Sequence, residues 1–221
     1  MSFSKEWDEA FAAGTHLSVW PWSDLVSYVS RYARPKEQFA RVLELGCGMG
    51  ANIPFFMQRR CDYFAVEGSS TAVKHLKAVY PHLADAIACA DFTVDIAFDG
   101  HFDLVVDRVA TPHNSTVAIQ RTLKMVYDKL RPGGKFIGID WFSDLHEGAR
   151  KGVSVDDHTR RDIESGSLKD LGCVHFFSRS HLLDLLSGAG FRVERLEHKI
   201  SVVSLPSDGE PLAWWHFSAV K

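Results

Sequence analysis

The run Glu44-Leu45-Gly46-Cys47-Gly48-Met49-Gly50 puts one carboxylate and three glycines within seven residues. Glycines at this spacing let the backbone turn tightly and let a ligand approach with no Cβ in its path. Two more acids follow, Glu67 and Asp91, the second with Phe92 beside it. Residue types alone leave two readings of the loop. Gly46, Gly48 and Ala51 fit the dinucleotide pattern Gly-x-Gly-x-x-Gly/Ala, and Glu67 lies near the distance expected of a ribose-binding acid. Glu44 favours the other reading, because a pyrophosphate gains little from a carboxylate there whereas a cationic ligand tolerates it well. Cys47 reads as a side chain small enough for the loop, not as a reactive thiolate.

A second group of residues spans Asp107-Arg108-Val109-Ala110-Thr111-Pro112-His113-Asn114. Histidine titrates near neutrality, so His113 has the intrinsic chemistry of a general base; its plainer alternative is a loop residue capping the helix that follows. Arg108 offers a planar fork for a carboxylate or phosphate, or a partner for an acid from a later segment. A third group, Asp140-Trp141-Phe142-Ser143-Asp144-Leu145-His146, mixes aromatics with titratable groups, as small-molecule pockets do. Trp141, Asp144 and His146 are its candidate substrate contacts. Trp20 and Trp22 are candidates for a lid over them, or for packing the first helix on a sheet. The eleven histidines show no His-x-x-x-His pair and the four cysteines no Cys-x-x-Cys pair, so no metal site is expected.

The elements that must carry these residues alternate. Residues 41–45, 63–67, 86–89, 102–107 and 135–140 read as strands. Helices read over 51–60, from the caps Ser69 and Ser70 to Tyr80 before Pro81, and from Ser115 to Leu130 before the turn Arg131-Pro132-Gly133-Gly134. This pattern predicts an α/β fold, a doubly wound, Rossmann-like, mainly parallel sheet with helices on both faces. Residues 1–36, rich in aromatics and ended by Pro35, read as an N-terminal helical cap. After a helix at 180–188, the runs 191–197 and 212–220 are joined by a polar turn and should pair antiparallel, giving an antiparallel C-terminal strand. The segment 141–179 is charged, glycine-containing and weakly periodic, as expected of an insertion on the substrate side.

Taken in order, these motifs resemble class I S-adenosylmethionine-dependent methyltransferases. Val42-Leu43-Glu44-Leu45-Gly46-Cys47-Gly48-Met49-Gly50 is similar to the family's acidic-x-Gly-x-Gly-x-Gly loop. Glu67 stands where the family places an acid on the ribose, and Asp91-Phe92 where it recognises adenine. Phe102-Asp103-Leu104-Val105-Val106-Asp107 matches the strand beneath the methionyl end, and Lys129 to Phe136 the turn before the fifth strand. The resemblance covers about 37–140 and again 180–221. It implies S-adenosylmethionine as cofactor, S-adenosylhomocysteine as product, and a cofactor site of Glu44, Gly46, Cys47, Gly48, Gly50, Asn52, Glu67, Gly68, Asp91, Phe92, Asp107 and Arg108. Asp107 would orient the methionyl ammonium, with His113 as first candidate base. The expected domain plan is one methyltransferase domain over 1–221, with cap 1–36, cofactor part 37–140, insertion 141–179 and C-terminal part 180–221.

Composition sets the outer bounds. The chain has 221 residues, 46% hydrophobic and 24% charged, enough for one domain with a substantial core. Its 25 basic and 28 acidic residues give a net charge of −3, with no global excess to hold nucleic acid or an anionic membrane. The paired charges of Arg150-Lys151 and Arg160-Arg161 among Asp156, Asp157, Asp162 and Glu164 read as a solvated face. The polar start Ser2 to Glu9 lacks the apolar core of a signal peptide, and no apolar run approaches the roughly 18 residues of a membrane span. A cytoplasmic enzyme with a small-molecule acceptor is expected, as monomer or homodimer. An NAD-dependent oxidoreductase and a binding-only relative of the methyltransferases are the competing readings.

Overall fold

Ten strands and six helices follow from this pattern in the computed structural model, which describes residues 5–15, 17–33, 40–205 and 209–221. The strands are β1 (Arg41–Leu45), β2 (Asp62–Glu67), β3 (Ile87–Cys89), β4 (Phe102–Arg108), β5 (Leu130–Phe142), β6 (Val153–Ser154), β7 (Thr159–Arg161), β8 (Val174–His175), β9 (Arg192–Ser201) and β10 (Leu212–Val220). The helices are α1 (Lys5–Ala12), α2 (Ser23–Tyr28), α3 (Ile53–Gln58), α4 (Ser70–Val79), α5 (Thr116–Lys129) and α6 (Arg179–Gly188). Seven strands form one sheet in the order β3-β2-β1-β4-β5-β10-β9, and β6, β7 and β8 form a small antiparallel sheet of their own. Strands β3 to β5 with β1 and β2 run parallel, and β10 is antiparallel to both its neighbours. The order reverses between β1 and β4, the place where open α/β sheets leave a crevice for ligands.

The sheet separates two cores, and strand alternation decides which side chain enters which. Leu43, Leu45, Val105 and Phe136 pack with α5 and α6 on one face. Val42, Leu104, Val106, Ile137 and Ile139 pack with α2, α3 and α4 on the other. Helix positions follow the 3.6-residue period: Ile119, Leu123 and Val126 are buried on α5, and Ala72, Val73 and Leu76 on α4. Ser69 caps α4 by accepting the Ala72 N–H at 3.1 Å, and Ser178 caps α6 by accepting that of His181 at 3.1 Å.

Several boundaries differ from expectation. The N-terminal part is two helices, the second starting at Ser23 and running on from α2 into a π-helical turn over Val29–Ala33; Pro35, expected to end it, lies outside the described residues. The turn Arg131 to Gly134 lies within β5, as an irregularity between the pairs Phe102–Leu130 and Leu104–Lys135. The insertion has a small core of Ile163, Leu168, Val174 and Phe176 packed on Phe142. It is fastened to α6 by the His158 ring, stacked on His181 with centroids 3.7 Å apart, and by His175 Nε2, 3.0 Å from His181 Nε2. No helix among the described residues is long and apolar enough to cross a membrane.

Candidate active site

At the reversal point the carboxyl ends of β1, β2 and β4 open into a cavity of about 520 Å³. Its floor is the glycine loop after β1. Gly46 has φ +62°, and a Cβ there would lie 2.2 Å from the Ala110 Cβ, so the loop meets the turn after β4 only because position 46 has no side chain. Gly50, at φ +82°, is packed against Leu76 and Ile53 and lies outside the cavity lining, shaping the loop from behind.

Three carboxylates line one end, and each is fixed by its own donors. Glu44 is buried, with Oε1 accepting from Asn52 Nδ2 at 2.7 Å and Oε2 from the Tyr63 hydroxyl at 2.6 Å. Burial pushes its carboxyl up to about 7, against the pull of those two donors. Glu67 Oε2 accepts the Gly48 N–H and Oε1 the Ser69 N–H, both at 2.8 Å, so it ties the glycine loop to the start of α4. Its pKa is also raised, chiefly by burial. Asp91 Oδ1 accepts from the Thr93 N–H at 2.9 Å and its hydroxyl at 2.6 Å, and Arg121 of α5 donates to the Thr93 carbonyl. Phe92 and Gly68 complete this end.

The turn from Arg108 to Asn114 forms a second wall. It starts at Val109, a β-branched residue at φ +59°, which is strained backbone beside a cavity. Asp107, expected to face a ligand, is instead fully buried and absent from the lining. Its Oδ1 accepts the Ala110 N–H at 2.8 Å and Oδ2 the Thr111 N–H at 2.9 Å, so it shapes the turn. Burial pushes its carboxyl up to about 6. At the far end of the turn, His113 lines the cavity with its Nδ1 3.0 Å from the Cys173 carbonyl. A carbonyl only accepts, so this bond puts the proton on Nδ1 and leaves the lone pair of the neutral ring on Nε2. The ring is edge-on to Trp7 and to Phe142, with centroids 5.1 and 5.7 Å away.

The N-terminal segment closes the cavity. Asp8 Oδ1 accepts from the Ser69 hydroxyl at 2.5 Å and from the Thr71 N–H at 3.1 Å, docking α1 on the start of α4. The Trp22 N–H donates to Asn52 Oδ1 at 3.1 Å, so Asn52 joins this segment to Glu44. Trp7, Phe11, Leu17 and Ser18 also face the cavity. Sequence reasoning missed them as site residues, although Trp7 and Phe11 are the apolar pair, four apart, on an otherwise charged helix.

Of the expected substrate contacts, Trp22 and Arg108 line the cavity and four others do not. Trp20 is 78% exposed. Trp141 is fully buried among Phe136, Phe177 and Phe217. Asp144 is exposed on the surface of the insertion. His146 is buried, its Nδ1 accepting the Gly148 N–H at 3.1 Å as a cap. Cys47 is buried in the loop and its thiol is pushed well above its ordinary value, the state of an unreactive side chain.

A doubly wound sheet with a glycine loop, an acid at each of the first two strand ends and a cavity at its reversal point defines an α/β enzyme of the nucleotide-cofactor type. A family model described as a methyltransferase domain matches residues 16–196, and the chain belongs to that family, whose cofactor is S-adenosylmethionine. No curated protein matches it in sequence. Among solved structures it is similar to an S-adenosylmethionine-dependent methyltransferase from Clostridium acetobutylicum, at 14% identity and TM-score 0.65 over 97% of this chain and 95% of that one. One from Mesorhizobium loti gives 19% identity and TM-score 0.64 over 89% and 98%. The 4+2 cyclase SpnF gives 16% and 0.67 over 98% and 94%, so likeness at this level speaks for the fold.

The site fits that cofactor on its own features. Side-chain-free loop positions give a cradle, Glu67 and Asp91 offer acceptors for hydroxyl and amine groups, and Glu44 suits a cationic end.

Proposed function

We propose that the protein transfers a methyl group from S-adenosylmethionine to an oxygen or nitrogen of a small-molecule acceptor. S-adenosylmethionine supplies an electrophilic methyl group on a sulfonium. Glu44, Asn52, Glu67, Gly68, Asp91 and Phe92 would hold the cofactor, and the glycine loop would let it approach the backbone. The acceptor would lie between the turn 108–114 and the aromatic N-terminal segment.

The observation that carries this reading is the state of His113. Its proton is held on Nδ1 by a main-chain carbonyl 3.0 Å away, so Nε2 has the lone pair a general base needs. The neighbouring Trp7 and Phe142 rings limit water around it, which favours transfer by positioning and desolvation. Asp107 acts indirectly, by setting the turn that presents His113. Labelled S-adenosylmethionine incubated with metabolite pools, followed by mass identification of the product, tests the proposal. A labelled small molecule with a new O-methyl or N-methyl group is expected. Binding of S-adenosylhomocysteine with no labelled product from any pool would favour a binding-only role instead.

A further inference from the structure

Among the described residues, Arg108 is the single arginine or lysine in the cavity lining, where the other charged residues are Glu44, Glu67 and Asp91. Its guanidinium lies over the Trp22 ring, Cζ 3.4 Å from the centroid. A stacked guanidinium keeps its in-plane N–H groups for partners at the edge. Asp140 takes one of them, Oδ2 lying 2.8 Å from Nη2, while Nε is buried with no hydrogen-bond partner among the described residues.

Asp140 does not line the cavity, so it grips Arg108 from behind. The grip is itself built in. Asp140 sits at φ +59° where the β5–β10 register shifts, and the buried His216 Nε2–H donates to its Oδ1 at 2.9 Å. His216 and Asp24 bring one ligand atom each within 4.8 Å of one from Asp140, the geometry of a cation site. Arg108 on Asp140 and Lys199, 2.5 Å from Asp24, already supply its positive charges. Aromatic stacking, an ion pair and a strained bulge therefore fix the orientation of one cation. The same turn carries His113 at its other end, and N-terminal tryptophans cover both, Trp22 on Arg108 and Trp7 on His113.

We infer that Arg108 binds an anionic group, a carboxylate, on the methyl acceptor, with Asp140 and His216 as positioning residues. This rests on the methyltransferase reading above and narrows its acceptor to acids. The guanidinium edge matches a carboxylate in shape, and Trp22, Leu17 and Phe11 give an apolar wall for the body of the acid.

The test is calorimetry on the protein saturated with S-adenosylhomocysteine, titrated with a panel of small aromatic and aliphatic carboxylic acids and the matching primary amides. At least one acid should bind ten times more tightly than its amide. Arg108→Gln should abolish that preference, and Arg108→Lys, which keeps the charge without the fork, should retain part of it; thermal melting of both variants checks folding. Equal binding of acids and amides, or a preference that survives in Arg108→Gln, overturns the inference. So does a tenfold loss of S-adenosylhomocysteine affinity in Arg108→Gln with unchanged binding of 5′-methylthioadenosine, which lacks the amino-acid end; Arg108 would then serve the cofactor's own carboxylate. Failure of the unaltered protein to bind S-adenosylhomocysteine would instead refute the methyltransferase reading itself.

Discussion

His113 owes its proposed role to one main-chain acceptor, and its replacement separates chemistry from binding. His113→Gln removes proton uptake while keeping an amide in the wall, so turnover should fall by roughly a hundredfold. Affinity for S-adenosylhomocysteine should stay within about twofold, because the residues assigned to the cofactor are untouched. Turnover close to the unaltered rate would reduce His113 to a structural part of the turn. Glu67 makes the opposite prediction. Its two oxygens organise the Gly48 and Ser69 N–H groups, and it is the acid proposed for the ribose. Glu67→Ala should therefore weaken cofactor binding by about 1.5–3 kcal/mol, the scale for hydrogen bonds to a charged group. Calorimetry on the folded variant reads this directly, and an unchanged dissociation constant would remove Glu67 from the site.

Helix α1 buries none of its residues and is held by the carboxylate of Asp8 on the start of α4. Elements of this kind open locally at low cost. Asp8→Ala should speed amide exchange over residues 5–15 at least several-fold and leave β1 protected, as hydrogen-exchange mass spectrometry would show. Equal protection in the variant would mean that the Trp7 and Phe11 contacts alone dock the helix. The same contrast explains what was legible in the sequence. Strand alternation, the cap at Ser69 and the glycine loop are encoded by near neighbours, so their placement was readable. Trp141 was not. Ile137 and Ile139 face one core, and strict alternation would send Trp141 with them. The left-handed Asp140 breaks the alternation and turns Trp141 into the opposite core beside Phe136. The roof of Trp7 and Phe11 was missed for a related reason, since only the docking of Asp8 places it over the loop.

Across the whole molecule, buried carboxyls and buried histidines pull stability in opposite directions as pH changes. Burial raises Glu44 from 4.5 to about 7 and Asp107 from 3.8 to about 6. Burial also holds His146 at about 4 and His175 at about 3, so their contribution to stability rises with pH up to about 6.5, whereas the two carboxyls hold protons in the native state that the unfolded chain has released, so theirs falls. The carboxyls' contribution is fully present below about 4 and lost as pH passes through 6 and 7. Removing one carboxyl isolates its share: relative to the unaltered protein, the urea midpoint of ligand-free Glu44→Gln or Asp107→Asn should rise between pH 5 and 7.5 by an amount worth a few kcal/mol at most. A difference between variant and unaltered protein that stays constant over that range would show that the replaced carboxyl does not titrate there. A cationic ligand beside Glu44 favours its ionised form, so S-adenosylmethionine should bind more tightly as pH rises through about 7. The bond from His113 to the Cys173 carbonyl spans sixty residues and uses no side chain at its receiving end. No replacement at position 173 other than one that redirects the main chain can delete it. Position 173 should therefore accept exchanges of residue type freely, yet activity should be lost when a single residue is added to or removed from the segment before β8. In a library scan the site would look neutral to substitution and intolerant of changes in length.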